Sequence, residues 1–215
     1  GTVQIRGAIQ TVTGLEGRLG GSGKLKVVDG AAPVVGIERI DLTYQRLRIE
    51  HASSRPVAIS GVVCGDGLEY TGTGPLFLED VCVGTVRLGK GQEVWARQLN
   101  CEAQDRTKIV NDGGMLWIQG IKTEKRGTIC QTLNGGRTEI VGGFIYSNQS
   151  IPADQPMFIV QDSAFSVTVG ESNFSGKPYP IIIQETRAGT QRELLHEQAL
   201  RRGGASTLPL FVARP

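Results

Sequence analysis

The sequence predicts an all-β fold, a right-handed parallel β-helix in which a single solenoid is built from coils of about 20 residues. Three observations lead to this prediction. Apolar segments recur at a nearly constant interval, each segment shows the two-residue alternation of a β-strand, and Gly supplies 30 of the 215 residues. Gly at about twice its average usage indicates frequent turns.

Composition argues against several classes of function. The 23 Lys and Arg residues and the 21 Asp and Glu residues are spread along the chain, which gives a formal net charge of +2. Binding to nucleic acid or anionic lipid normally requires a concentrated basic patch. Apolar runs such as Met157–Val160 are far shorter than the roughly 20 residues that span a bilayer. We therefore expect a soluble protein with no nucleic-acid and no membrane partner.

The repeat is visible in six segments of eight residues. When the fifth residue of each segment is taken as its reference, the references are separated by 19, 18, 22, 22 and 20 positions. Tetratricopeptide, ankyrin and HEAT units have longer periods and a 3.6-residue apolar spacing, so helical repeats are disfavoured. The segments are Val57–Cys64, Leu76–Val83, Val94–Cys101, Leu116–Thr123, Thr138–Ile145 and Phe158–Phe165, with references Gly61, Asp80, Gln98, Gly120, Gly142 and Asp162.

Within a segment the apolar residues lie four and two positions before the reference and one and three positions after it, as in Leu76, Leu78, Val81 and Val83. Side chains of a strand alternate between its two faces, so this pattern means that the alternation slips once, at the reference. A slip of this kind indicates a bend or bulge. We expect these four columns to point into the core, with coils stacked about 4.8 Å apart. An antiparallel sandwich of short strands remains the rival fold.

The two ends of the chain depart from the repeat. We expect one domain over residues 1–215, with an irregular Gly-rich part at 1–35, coils at 36–186 and a cap or tail at 187–215. A further coil is expected with its reference at Asp41, 20 positions before Gly61. A short amphipathic helix over Gln191–Arg202 and the tail Leu208–Val212 are expected to cap the last coil. Because residue 1 is Gly rather than Met, we expect that a signal peptide, a tag or a larger N-terminal portion preceded this sequence, and the choice among them stays open.

The outward columns are where function is sought. Three positions before the reference lie Phe77, Trp95 and Trp117 on successive coils, and together they would form an external aromatic ladder. Aromatic faces stack on the apolar faces of sugar rings, so the ladder is a candidate saccharide-binding strip. Packing against a cap, an N-terminal segment or a second subunit is the alternative.

Polar side chains occupy the neighbouring columns. Glu102 and Glu124 share one column on adjacent coils, a spacing close to the roughly 5 to 5.5 Å between the two carboxyls of retaining glycosidases. Two such carboxylates would raise the pKa of one of them and supply an acid and a base. In a lyase, Arg97 or Lys122 would be the candidate base. Surface ion pairs are the competing interpretation. The candidate catalytic residues are Glu102, Glu124, Arg97 and Lys122, and the candidate substrate-binding residues are Phe77, Trp95, Trp117, Glu79, Gln119 and Asn100.

No cofactor and no metal are expected. The four cysteines and two histidines match no zinc-ligand spacing. Asp105, Asp112 and Asp162 are placed in loops or bends, where turn formation is the commoner role of Asp, so no calcium-ligand cluster is identified. Cys64 and Cys101 share an inward column two coils apart, roughly 9.6 Å, which is beyond disulfide reach. Cys82 is expected to point outward and Cys130 to lie in a turn.

The chain resembles the pectate-lyase-like β-helix superfamily, especially its pectate lyase 3 type and polygalacturonase-related proteins. The resemblance covers about half of the sequence and implies a β-helix and a carbohydrate-active neighbourhood. The Gly-His-Gly triplet of polygalacturonases is missing, and the aspartates and catalytic Arg of calcium-dependent pectate lyases cannot be placed. The similar stretches are Gly74–Val81, Val94–Asn100, Asn111–Glu124 and Thr138–Gly143.

The sequence thus predicts a secreted or extracellular carbohydrate-active protein that binds or cleaves an extended polysaccharide or oligosaccharide. Whether it is an enzyme is left open, as is the choice between glycoside hydrolysis and elimination. The alternative is a non-catalytic carbohydrate-binding or structural, oligomerising β-helix module. A homo-oligomer is compatible with either function.

Overall fold

A computed structural model gives the architecture of the chain and describes residues 1–18, 22–42, 46–65, 67–173, 178–202 and 205–214. Strands predominate among the described residues, and the structure is nearly all-β. Within the described residues the helical part is a single 3₁₀ turn, His196–Gln198. Accordingly, none of the helices that the structure describes is long and apolar enough to cross a membrane.

The strands alternate along the chain between two sheets. The strands are β1 (Thr2–Ile5), β2 (Thr11–Arg18), β3 (Ser22–Val27), β4 (Val35–Leu42), β5 (Arg46–His51), β6 (Val57–Cys64), β7 (Leu68–Tyr70), β8 (Leu76–Val83), β9 (Val86–Gly89), β10 (Glu93–Cys101), β11 (Ile109–Asp112), β12 (Met115–Glu124), β13 (Cys130–Leu133), β14 (Arg137–Ser147), β15 (Pro156–Gln161), β16 (Ala164–Asn173), β17 (Ile181–Arg187), β18 (Thr190–Leu195), β19 (Leu200–Arg202) and β20 (Ala205–Ala213).

The fold is a β-solenoid of about 8 turns with about 22 residues per turn. Odd-numbered strands from β1 to β17 form the first sheet, and even-numbered strands from β2 to β16 form the second, with parallel pairing between neighbours in each. Each turn therefore adds one strand to each sheet. This confirms the predicted stack of parallel coils and rules out the antiparallel sandwich, whose neighbouring strands would be joined by hairpins.

The core lies between the two sheets and follows the predicted columns. Leu76, Leu78, Val81 and Val83 on β8 are each at most 2% exposed, and the neighbouring strands place equivalent side chains directly above and below them. A coil is too thin to enclose its own apolar side chains, so burial depends on the coils stacked on either side. The inward columns are thereby confirmed.

A left-handed backbone conformation produces the slip in alternation. The first five of the six predicted references lie on successive coils of the second sheet and have positive φ: Gly61 (59°), Asp80 (51°), Gln98 (55°), Gly120 (81°) and Gly142 (78°). One residue in this conformation bends the strand, so that the reference and the residue before it both face outward and the residue after it faces the core again. Gly adopts this region without steric cost, and Asp tolerates it better than most residues.

Two references were placed at the wrong residue. The partner of the Gly61 bend on β4 is Arg39, with φ 59°, whereas Asp41 pairs with Val63 two residues further on. The expected bend at Asp41 is therefore wrong by two positions. Asx residues are common in turns, which made Asp41 the more attractive choice in the sequence.

The sixth segment, Phe158–Phe165, was also assigned to the wrong sheet. Phe158 pairs with Cys130 and Ile183 in the first sheet, and Asp162 lies in the turn that leads to β16. The correct sixth copy is β16, which pairs with β14 from Ala164 to Asn173. Asp162 also has positive φ, 43°. The turn that contains it therefore has a sequence pattern like that of the strand bends in the second sheet. Gln161, the residue before the reference Asp162, thus belongs to the first sheet.

The C-terminal cap consists of strands. β18 pairs antiparallel with β17 at the end of the first sheet; in the second sheet β20 pairs antiparallel with β16, and β19 follows β20 at the edge, again antiparallel. The amphipathic helix expected over Gln191–Arg202 is wrong, because most of that range is β18, the 3₁₀ turn and β19. The tail Leu208–Val212 does cap the coil as part of β20. Antiparallel strands satisfy the backbone groups of an open sheet edge directly.

None of the four cysteines, all of which lie in the described residues, forms a disulfide. Cys64 and Cys101 flank Val83 in one inward column, two coils apart as predicted. The prediction that Cys130 lies in a turn is wrong, because Cys130 is fully buried at the start of β13. Burial raises the pKa of the Cys130 thiol to about 12, which keeps it protonated and unreactive.

Candidate functional site

The aromatic ladder, defined as Phe77, Trp95 and Trp117, lies on the outer face of the second sheet. Phe77 pairs in register with Trp95, and Trp95 with Trp117. The two indole ring centroids are 6.0 Å apart and the rings are tilted by 45°. Phe77 is 43% exposed and Trp95 36% exposed, which is unusual for large aromatic side chains. The structure thus brings the three predicted ladder residues together as expected.

The ladder belongs to a longer column. Ala58 precedes Phe77 in register, and Glu139 and then Ser166 follow Trp117. Six strands at about 4.8 Å per step give a column about 24 Å long, running along the solenoid axis and across the strands. Ser166 was missed in the sequence because the sixth segment was out of phase.

Two adjoining hollows follow this column and share Trp95 and Trp117. The first has a volume of about 240 Å³ and extends from Ala58 past Phe77 to Trp117. The second has a volume of about 470 Å³ and extends from Trp95 to Ser166 and the C-terminal strand. Together they form a shallow trough, which we call the ladder groove. Its far end is lined by Val212 and Arg214 of the C-terminal strand and tail. No local sequence pattern predicted this part of the lining.

Charged and polar side chains border the ladder groove. The predicted residues Glu79 and Arg97 line it and form an ion pair across adjacent strands. Gln119 follows Arg97 in register in the same outward column. At the far end, Arg137 and Glu139 line the groove from β14. Polar groups beside an apolar floor are the usual composition of a ligand site.

The remaining predicted site residues form a second group, the carboxylate cluster of Asn100, Glu102, Lys122 and Glu124. Lys122 Nζ lies 2.8 Å from Glu102 Oε1 and also contacts the Glu124 carboxylate. Asn100 Nδ2 donates a hydrogen bond of 2.8 Å to the same Glu102 oxygen. One lysine therefore bridges the two carboxylates that were expected to act as an acid and a base.

Electrostatics in this cluster favour ionised carboxylates. Partial burial opposes ionisation of Glu102, but hydrogen bonds from Lys122 and Asn100 outweigh it and lower the pKa of the Glu102 carboxyl. Hydrogen bonds to Glu102 and Glu124 likewise outweigh the effect of partial burial on the Lys122 ammonium and raise its pKa. A general acid at neutral pH needs a raised carboxyl pKa. The expected raised pKa is therefore not found at Glu102.

The carboxylate cluster is separate from the ladder groove. Trp117 and Glu124 are seven residues apart on β12, on opposite sides of the bend at Gly120. At about 3.3 Å per residue this places them on the order of 20 Å apart along the strand. Neither hollow is lined by a residue of the cluster. Of the candidate catalytic residues, Arg97 alone lines the groove.

Other buried polar groups serve the coil turns. Lys108 is fully buried, and its Nζ donates hydrogen bonds to the carbonyl oxygens of Ala103 and Arg126, the latter at 3.1 Å. Burial lowers the pKa of Lys108 to about 8. Among the residues that the structure describes, no three His, Cys, Asp or Glu side chains meet in an arrangement that could hold a metal ion.

Comparison with known proteins returned no match to a family model, to a curated protein or to a solved structure. The solenoid architecture is therefore established by the structure alone, and function has to be argued from the two surface sites described above.

Proposed function

We propose that the chain is a carbohydrate-binding β-helix that holds an extended polysaccharide along the ladder groove. The observation that carries the proposal is the in-register aromatic ladder on the floor of a trough about 24 Å long. A sugar ring presents a face of C–H groups that packs on an aromatic ring, and successive rings along the axis offer successive platforms. A groove of this length would accommodate several sugar units.

The polar border fits the same ligand. Sugar hydroxyls point sideways from a ring that is stacked face-on, and Glu79, Arg97 and Gln119 stand beside the ladder where such hydroxyls would lie. The tilt of 45° between Trp95 and Trp117 suits a chain whose neighbouring sugar rings are rotated with respect to each other. The side chains also leave an open trough, so internal stretches of a long polymer can enter from the side.

Binding without cleavage is the better-supported form of this proposal. The two candidate catalytic carboxylates lie outside the groove and are bridged by Lys122. Within the groove, Arg97 is held by Glu79. We accordingly propose a non-catalytic polysaccharide-binding role with the architecture of the pectate-lyase-like superfamily, in a secreted or extracellular protein. Hydrolysis or elimination remains the alternative to be tested on digests.

A glycan array followed by calorimetry on the best ligand tests the proposal. We expect Trp95→Ala and Trp117→Ala to lower affinity at least tenfold each. Phe144→Ala is the matched control, because Phe144 is a similarly exposed aromatic residue on the same sheet face, 46% exposed, but does not line the groove. Unchanged affinity in both Trp variants would overturn the proposal. New reducing ends or absorbance from unsaturated uronates would instead establish an enzyme.

An oligomerising module is the second candidate, favoured by apolar exposure beyond the ladder. Val141 and Phe144 on β14 are 45% and 46% exposed, and Val212 on β20, which is separated from β14 by β16, is 49% exposed. Exposed apolar patches of this kind often mark protein interfaces. Light scattering over a concentration series separates the two functions: a dimer that dissociates in Phe144→Ala but not in Trp95→Ala would favour the interface.

A further inference from the structure

The charges of the ladder groove indicate which class of polysaccharide it accepts. The floor column consists of Ala58, the aromatic ladder, Glu139 and Ser166. It contains no cation, and its charged member is a carboxylate. A ligand that follows the floor column beyond Trp117 must therefore pass directly over Glu139.

The cations at the groove border do not form a continuous row along the ladder. Arg97 forms an ion pair with Glu79, which borders the ladder in the same column. Arg137 and Arg214 line the far end together with Glu139. Lys122 lies across the bend and is held by Glu102 and Glu124. Three guanidiniums and two carboxylates thus line the groove, a surplus of one positive charge, far fewer than the charges of a polyuronate stretch of several sugars.

A polyuronate would need a different border. Such a polymer carries one carboxylate per sugar, so a stretch of several sugars brings several negative charges into the groove. Those charges would require a row of uncompensated cations, because removing a carboxylate from water without a partner is unfavourable. The groove instead presents Glu79 and Glu139 to them, and like charges at close range are repulsive.

We infer that the ladder groove selects an uncharged polysaccharide, and that Glu139 is a specificity residue that accepts hydrogen bonds from sugar hydroxyls and repels uronates. This inference rests on the proposed function. It departs from the acidic polymers that the pectate-lyase resemblance alone would imply. Glu139 suits the role because, within the described part of the chain, no hydrogen bond or ion pair occupies its carboxylate.

The geometry explains why Glu139 and not Glu79 carries the selection. Glu139 follows Trp117 in register, so a sugar stacked on Trp117 would place the hydroxyls of the next sugar above the carboxylate. A carboxylate can accept two hydrogen bonds from neighbouring hydroxyls of one ring. Glu79 is already engaged by Arg97. Hydrogen bonds to a charged acceptor are stronger than neutral ones, which favours hydroxyl donors at this place.

The test compares two ligands of equal length by calorimetry, a β-1,4-linked glucose hexasaccharide and an oligogalacturonate hexamer, each at low and high salt. The neutral hexamer should bind at least tenfold more tightly, with less than a twofold change between salt conditions. Glu139→Lys should lower this preference at least tenfold by gaining affinity for the uronate. Glu139→Gln, which keeps a hydroxyl acceptor, should weaken neutral binding severalfold and relax the discrimination. Thermal unfolding of each variant verifies that the fold is retained.

The possible results separate the inference from the function on which it rests. If neither hexamer binds and no glycan on the array binds, the proposed function fails. If glycans bind but uronates bind as tightly as neutral chains or more tightly, the groove is a glycan site and the inference on charge is overturned. If Glu139→Lys leaves the preference unchanged, Glu139 is not the specificity residue.

Discussion

The two adjacent glycines at the β14 bend provide a quantitative test of the coil geometry. Gly142 has φ 78°, and an added Cβ would meet no atom within 4 Å. In Gly142→Ala the cost is therefore backbone strain alone. A left-handed residue with a Cβ costs about 1–2 kcal/mol, and the loss of unfolded-state entropy returns about 0.4–1 kcal/mol. We expect the free energy of unfolding to fall by about 1 kcal/mol.

Gly143 is constrained by packing instead. It occupies an inward position opposite Ile121, and an added Cβ would lie 2.5 Å from Ile121 Cγ2 and 3.1 Å from both Ile121 O and Val169 Cγ1. Overpacking a core in this way costs about 1–3 kcal/mol. Because the clash involves a β-branched side chain and a backbone oxygen, we expect Gly143→Ala to cost about 2–3 kcal/mol, at the upper end of that range.

Equilibrium unfolding in urea measures both variants, with the wild type at the same pH. At roughly 2–4 °C per kcal/mol for a chain of this size, thermal unfolding should show the same order. Asp80→Gly is the matched control, because Asp80 holds the equivalent bend with φ 51° and the change should leave stability equal or slightly higher. A Gly143→Ala variant as stable as the wild type, or a Gly142→Ala variant less stable than Gly143→Ala, would refute the assigned inward register.

Three further predictions concern charge and thiol chemistry. Burial opposes ionisation of Glu50, but hydrogen bonds from Lys24, Lys26 and Thr71 lower its pKa from 4.5 to about 2. The stability that the ionised Glu50 contributes is therefore complete above about pH 4.5 and is lost as the pH falls toward 2. At roughly 1.4 kcal/mol per pKa unit, discounted for solvent screening, we expect this contribution to be about 1–2 kcal/mol, measured as the difference in stability between wild type and Glu50→Gln at pH 7 and at pH 2.5. In the native protein a thiol reagent should modify at most Cys82, and slowly, because burial raises the pKa of its thiol. After denaturation the reagent should modify all four cysteines. Rapid labelling of two or more cysteines in the native protein would contradict the inward columns. Lys122→Met should lower stability by about 1 kcal/mol at pH 7, because it leaves Glu102 and Glu124 as like charges without the ammonium between them. The loss should shrink at pH 4 as the Glu102 carboxyl, which no longer has the Lys122 hydrogen bond that lowers its pKa, takes up a proton; an equal loss at both pH values would contradict this account.

The sequence predicted the second sheet well because its strands are long and alternate regularly. Eight-residue strands such as β8 carry four inward positions and one bend, and this pattern is long enough to identify the strand from the sequence. Strands of the first sheet are shorter, down to the three residues Leu68–Tyr70, and offer no comparable signal. This is why Phe158–Phe165, which spans the end of β15, a turn and the start of β16, was taken for a repeat of the other sheet.

The cap was mispredicted for a different reason. Leu194, Leu195 and Leu200 have a spacing that fits one face of a helix, but Leu194 pairs with Ile183 in an antiparallel strand. The edge of the last coil offers backbone partners that an isolated helix would not have, and this tertiary demand overrides the local pattern. The far end of the ladder groove depends on the same C-terminal strand, so Val212 and Arg214 were not foreseen as lining residues.

The candidate site was predictable to the extent that it follows from alternation. Trp95 and Trp117 could be placed on the outer face by counting from the bend, and Glu139 followed them in the same column. The carboxylate cluster was found by the same counting, but its charge state depends on the reach of Lys122 between two strands. Side-chain conformation of this kind cannot be read from residue spacing.

The most direct test of the account is a fluorescence titration of the protein with a β-1,4-linked neutral hexasaccharide, because both tryptophans of the chain lie in the ladder groove. We predict a saturable change in tryptophan emission in the wild type and in Phe144→Ala, with affinity reduced at least tenfold in Trp95→Ala. Saturable binding of neutral glycans, detected by calorimetry, that leaves tryptophan emission unchanged and is unaffected by Trp95→Ala would contradict the placement of the ligand along the ladder.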